Sequence, residues 1–134
     1  MKRYVLILLA GWMLSSCSTA TEISELSDAQ GQWELVAFEP GPSIPNPDRY
    51  TIVFDADGRF SSRADCNRCS GGYQTEGNAI TLGPAIACTR AFCPPPSLFN
   101  EYVAALGGVS AFVRTGGQLR LRYAGGELVY RVSN

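Results

Sequence analysis

Beyond residue 30 the chain runs in short stretches of alternating apolar and polar positions, each closed by glycine, aspartate or proline. A period of two is what strands with one buried face require. Gln32–Phe38 predicts the first strand. The crossing Glu39–Pro47 carries Pro40, Pro42, Pro45 and Pro47, none of which can donate to a ladder, so it predicts irregular chain. Tyr50-Thr51-Ile52-Val53-Phe54 puts Tyr50, Ile52 and Phe54 on one face, and Asp57-Gly58 predicts a hairpin returning through Arg59–Arg63. Gly72–Thr75 and Asn78–Leu82 predict a second pair around Glu76-Gly77. The C-terminal third predicts a meander of Val109–Arg114, Gln118–Tyr123 and Glu127–Val132, turning at Gly116-Gly117 and Gly125-Gly126. With a two-residue turn at Gly125-Gly126, Leu119, Leu121 and Tyr123 face Val132, Tyr130 and Leu128 on one side of the sheet. That register also sets Arg120 opposite Arg131 on the outer face, a like-charge pair.

One segment has the helical period instead. Leu98, Phe99, Tyr102, Val103 and Leu106 form an apolar stripe between Pro94-Pro95-Pro96 and Gly107-Gly108, with Ser97 placed to cap. The stripe predicts a helix over about 97–106 that packs on the core. The fold class is therefore mainly β: a compact antiparallel, partly open β-barrel or curled sheet with one α-helix. No repeat of solenoid period is visible.

Composition narrows the chemistry. The formal charge of −1 lacks the basic excess of a nucleic-acid binder. Histidine is absent, which removes Ser-His-Asp and Cys-His arrangements and most general-base chemistry near neutral pH. No nucleophile–base pair can be named, so no catalytic residues, no enzyme and no cofactor are expected.

The N-terminus carries an address. Lys2 and Arg3 precede the apolar run Tyr4–Met13, and Leu14-Ser15-Ser16-Cys17 follows, an order that resembles the lipobox of bacterial lipoproteins. The expectation is a signal peptide over 1–16, a lipidated Cys17 heading a flexible tether over 17–30, and a domain over 31–134. A short helix around Glu22–Leu26 is the alternative within the tether. Without residues 1–16 the side-chain charge is 9 − 12 = −3, with no lysine. Ser18, rather than aspartate, points by analogy with Gram-negative lipoproteins to the outer membrane. The membrane is then one partner, through an anchor of more than one acyl chain.

Assigning Cys17 to lipid leaves an even set, Cys66, Cys69, Cys88 and Cys93. Two structural disulfides suit an exported chain. A four-thiolate zinc site and a CxxC redox pair are the alternatives, although the redox pair lacks its βαβ context and no metal is expected. Asp55, Asp57 and Asp65 lie near the Asp-Gly turn and are explained by turn chemistry before calcium. Ser70-Gly71-Gly72-Tyr73 predicts a bend before a strand, with an inhibitor loop as its alternative.

The motifs have a recognisable order. Trp33-x-Leu35 opens the domain, Cys66-Asn67 precedes Gly71-x-Tyr73, Ile86-Ala87-Cys88 leads to a helix ending in Ala105-Leu106, and Leu119-x-Leu121 follows. Over about residues 31–132 this resembles the META domain family, the HslJ-like group. The resemblance implies an antiparallel, partly open barrel with a helix, found in envelope or secreted proteins linked to stress tolerance, antibiotic resistance or motility. It implies no established enzymatic activity, and related barrels include lipid-binding secretion pilotins. It pairs Cys66 with Cys88, leaving Cys69 with Cys93. Asp65 stands where the family usually has glycine, and Pro84 where it has threonine. The expected function is a non-catalytic envelope lipoprotein that binds or stabilises another envelope component. Two alternatives are a lipocalin-like binder of a hydrophobic ligand, favoured by an apolar cavity open to solvent, and a hydrolase inhibitor, favoured by a rigid disulfide-braced loop at Asn67–Tyr73.

Overall fold

The computed structural model describes Leu26 and residues 32–133. The expected signal peptide, the expected lipidation site Cys17 and the expected tether other than Leu26 lie outside the described residues. Eight strands follow in order: β1 (Trp33–Glu39), β2 (Tyr50–Phe54), β3 (Arg59–Ala64), β4 (Asn67–Glu76), β5 (Ala79–Cys88), β6 (Ala111–Thr115), β7 (Gln118–Tyr123) and β8 (Gly126–Val132). The helix α1 (Phe99–Gly107) joins β5 to β6, and a 3-10 turn at Pro47–Arg49 precedes β2. Each strand pairs antiparallel with the next, and β8 returns to β1, so the sheet closes into a barrel. The ring is uneven. β5 and β6 share the single register pair Ala79↔Ala111, flanked by bonds from Ile80 N–H to Ser110 O and Phe112 N–H to Asn78 O.

The interior is filled by the alternating positions that point inward. Trp33, Leu35, Ile52, Ile80, Leu119, Leu121, Leu128 and Tyr130 are fully buried, and Leu26 joins them. The helix adds Tyr102, Ala105 and Leu106, with Leu98, Phe99 and Val103 half-buried against the same core. Burying a side chain of this size stabilises by roughly 1.5–3 kcal/mol. The N-cap is Leu98, not the expected Ser97, and it makes no side-chain cap. Ser97 stands one residue earlier, where its Oγ accepts Phe99 N–H at 3.3 Å, while Leu98 N–H donates to Tyr50 Oη at 2.9 Å. The Tyr102 hydroxyl reaches Ser62 Oγ at 3.1 Å and Tyr130 Oη at 3.0 Å. Burial pushes the Tyr102 phenol up to about 12 and raises Tyr130 well above its usual value, so both stay neutral.

Two registers differ from the sequence reading. Between β7 and β8 the turn is Ala124-Gly125, not Gly125-Gly126, so Leu119 faces Tyr130 and Leu121 faces Leu128. The shift of two keeps the apolar set on one side but changes every partner. Its cause is Gly126, where φ is +145° and a Cβ would overlap Glu39 O. Only glycine admits β1 this close, so Gly126 belongs to the strand. Arg120 is consequently opposite Val129, not Arg131. Its Nη1 lies 2.7 Å from both Glu39 and Glu127, which face each other across β1 and β8. The like-charge pair is thus acidic, with an arginine bridging it.

β4 and β5 are also longer than the expected pair. β4 starts at Asn67, straight from β3 through the turn Asp65-Cys66. Asp65 has φ +59°, the conformation glycine favours, and the family resemblance expects glycine at this position. Its carboxylate is 2% exposed and pairs with Arg49 Nε at 3.1 Å. The β4–β5 register shifts by two between Gly71 and Tyr73, opposite Gly83-Pro84, where proline has no N–H to offer.

Candidate functional site

The β4–β5 ladder decides how the cysteines pair. Ser70↔Ala87 and Cys69↔Cys88 are register partners. The chain then runs on beside β4, with Thr89 N–H donating to Arg68 O at 2.9 Å and Arg68 N–H to Thr89 Oγ1 at 3.0 Å. The disulfides are Cys69–Cys88 and Cys66–Cys93. This corrects the implied pairing of Cys66 with Cys88 and Cys69 with Cys93. Partners across an antiparallel ladder keep a nearly constant sum of residue numbers. The observed bridges sum to 157 and 159, whereas the implied ones would need 154 and 162 in the same ladder. Cys66 and Cys69 are also an odd number of residues apart, which sends them to opposite faces.

Between the outer bridge and the ladder lies Asn67, fully buried. Its Oδ1 accepts Ala91 N–H at 2.8 Å and the Thr89 hydroxyl at 2.9 Å. Its Nδ2 donates to Ala91 O at 3.0 Å and to Cys93 Sγ at 3.4 Å. All the hydrogen-bonding capacity of the amide is used on one short segment. Thr89–Pro94 therefore has no helix or strand, yet it is fixed at its middle by Asn67 and at its end by the Cys66–Cys93 bridge. On this frame the Phe92 side chain stands 84% exposed, beside the exposed Arg90.

The same connection borders a second feature. Where it enters α1, Leu98 lines an apolar groove of about 440 Å³ with Phe38, Pro40, Pro42, Ile44 and Tyr123, and Glu101 lies at the rim. The proline segment that forms its wall is pinned by Ile44 N–H to Val36 O at 2.7 Å and by the bridge Ala37↔Ser43. A smaller hollow of about 200 Å³ continues past Pro45 and Leu98 to Arg49 and Pro96. Ile44 and Tyr50 are the buried core residues that reach these hollows; the other lining residues lie outside the core.

A META domain model matches residues 24–134. The chain belongs to the META domain family. Three solved structures share its fold. One, from Burkholderia xenovorans, has a TM-score of 0.66 at 19% identity and covers 97% of this chain and 99% of that one. Another, a DUF4847 family protein from Bacteroides vulgatus, has a TM-score of 0.61 at 20% identity, covering 83% and 97%. A third, solved by NMR, has a TM-score of 0.63 at 26% identity, covering 82% and 93%. No curated protein matches the chain.

The motif residues of this META domain do not gather at one place. Trp33 and Leu35 are fully buried on β1. Gly71 faces Phe60 across β3 and β4, and a Cβ there would lie 2.9 Å from Ala85 O and 3.0 Å from the Phe60 ring. Tyr73 packs edge-on against Phe54 at 5.1 Å and donates its hydroxyl to Asp55 O. Burial and then the Asp55 charge raise its pKa. Of the motif, the Cys66-Asn67 pair reaches the outer surface feature, Cys66 through its bridge to Cys93 and Asn67 from beneath. Asn67–Tyr73 is strand, so the braced loop that the sequence reading sought there lies instead at 89–94. Asp55 Oδ1 accepts Asp57 N–H at 3.0 Å and Arg59 N–H at 2.9 Å, which is turn chemistry. Sequence reading missed Phe92; an isolated aromatic between a cysteine and an arginine, just before three prolines, was the available signal.

Proposed function

We propose that this META-domain chain is a non-catalytic cell-envelope lipoprotein that binds another envelope protein through the surface formed by residues 89–98. The observation that carries the reading is the contrast between a core filled by Trp33, Tyr102 and Tyr130 and an aromatic, Phe92, fixed in solvent. An exposed aromatic on a braced loop is the form of an interface anchor, because little entropy remains to be lost on docking. The lipobox-like Leu14-Ser15-Ser16-Cys17 supports anchoring through Cys17, and Ser18 supports an outer-membrane address. By family resemblance, the role is in stress or antibiotic tolerance. The test places a photo-crosslinking amino acid at Phe92 in the native lipoprotein. One dominant adduct, lost when Cys17→Ser removes the anchor, supports the reading; no adduct above background refutes it. Fatty-acid labelling of the wild type but not of Cys17→Ser checks the anchor itself.

The groove favours a second reading, a binder of a small hydrophobic ligand. Its volume falls within the roughly 300–1,000 Å³ range of ligand pockets, and its lining is mostly apolar. Native mass spectrometry of chain extracted from membranes distinguishes the two: a retained lipid or small molecule that Leu98→Glu removes supports the ligand reading.

A further inference from the structure

We propose that Thr89–Cys93 is a substrate-like loop for a serine endopeptidase that cleaves after aromatic residues, with Phe92 filling its specificity pocket. This deepens the docking reading above and rests on it. Such enzymes bind substrate as an extended strand, pairing with the backbone of alternate residues and admitting the side chain before the scissile bond to a pocket. The hydrogen bonds of the loop follow that alternation. Ala91 spends both its N–H and its C=O on Asn67, and in an extended chain the groups of its neighbours point the other way. Among the described residues, the backbone of Arg90 and of Phe92 has no hydrogen-bond partner, so both face outward for an incoming strand. Phe92, 84% exposed, is the side chain offered to the pocket.

The loop also resists being consumed. Hydrolysis adds one water across the Phe92–Cys93 bond, leaving a carboxylate on Phe92 and an amine on Cys93. Both new ends stay in place, the first through the Asn67 clamp on Ala91 and the second through the Cys66–Cys93 bridge. With the ends side by side, resynthesis, which expels that water, competes with release. Pro94, Pro95 and Pro96 stiffen the departing chain, and since Pro94 has no N–H, recognition falls on the Arg90–Phe92 side.

The experiment titrates chymotrypsin and trypsin, each with a small chromogenic substrate, against the full-length lipoprotein in detergent. Wild type is expected to inhibit chymotrypsin and not trypsin. Phe92→Ala should weaken chymotrypsin inhibition by at least about 30-fold, the scale of an anchor residue. Phe92→Arg should transfer inhibition to trypsin, a switch that a merely structural role for Phe92 does not produce. Asn67→Ala, a positioning change, should speed cleavage at Phe92–Cys93, read by mass spectrometry after reduction. If Asn67→Ala does not fold, the Phe92 variants decide alone, since they alter only an exposed side chain. Undiminished chymotrypsin activity at stoichiometric excess overturns the inference, as does equal inhibition by wild type and Phe92→Arg. So does rapid cleavage without inhibition, or Phe92-dependent flotation with lipid vesicles. If crosslinking at Phe92 captures a protein that is not a peptidase while inhibition fails, this inference falls and the docking reading stands. If both fail, both fall.

Discussion

Nested disulfides make a quantitative demand on stability. Removing Cys66–Cys93 by a double alanine substitution leaves Cys69–Cys88, and the converse variant leaves the outer bridge. Taken alone, bridges closing separations of 27 and 19 residues would each stabilise by about 3–3.5 kcal/mol on the chain-entropy estimate. They are not independent. With one bridge closed, the other closes only a ring made of the short stretches 66–69 and 88–93, worth about 2.5 kcal/mol. Either pair removed alone should therefore cost about 2.5 kcal/mol, and both together about 6, more than twice the single effect. Urea unfolding at constant slope measures the three differences. The pairing itself is read by a non-reducing tryptic map, because Arg68 and Arg90 separate the cysteines. The nested arrangement yields peptide 64–68 joined to peptide 91–114, and peptide 69–90 closed on itself. Either other pairing joins all three peptides into one species. Finding that species would refute the ladder argument.

Other consequences are equally direct. Tyr102→Phe leaves Tyr130 without its buried partner and should cost about 1–2 kcal/mol by thermal unfolding. Gly126→Ala places a methyl group against Glu39 O and should destabilise by more than about 2 kcal/mol, or prevent folding altogether. Arg49→Ala leaves the Asp65 carboxylate buried and unpaired, costing about 1–3 kcal/mol; in an Asp65→Gly background the same change should cost little. Hydrogen bonding from Arg120 holds the Glu127 carboxyl below its usual value. Its contribution is therefore complete above pH 4.5 and lost as pH falls through the depressed value, so Glu127→Gln should flatten acid destabilisation in that window.

The sequence pattern reached the fold more fully than the site. β1, β2, β7 and α1 lie where alternation and the helical stripe put them, because nothing in their surroundings competes with the local period. β4 and β5 are longer than the expected pair because Ser70-Gly71-Gly72 reads as a bend before a strand and the expected partner ends at Leu82, whereas both strands continue through a bulge at Gly71–Tyr73 opposite Gly83-Pro84. The turn before β8 moved by one residue because Gly126 answers to β1, distant in sequence. The disulfide pairing was within reach. Extending the hairpin from its turn at Gly77-Asn78 pairs Thr75 with Ile80 and Tyr73 with Leu82, and one bulge brings Cys69 to Cys88. What no local pattern could show is that Asn67 would turn its amide on a backbone more than twenty residues away, and so hold Phe92 out.

Closure of the ring through β1 and β8 has a temporal meaning. Trp33 pairs with Val132 and Glu39 with Glu127, so the first strand to be made finds its second neighbour only in the last. A chain emerging from its N-terminus can zip β2 through β5 as consecutive hairpins, but β1 must wait with one edge open until the final strand has appeared. The slow event is then the meeting of the two ends, a contact of high sequence separation. Loss of β8 would take from Trp33 and Leu35 their ladder partners Val132 and Tyr130, which makes the last strand the latch of the whole domain.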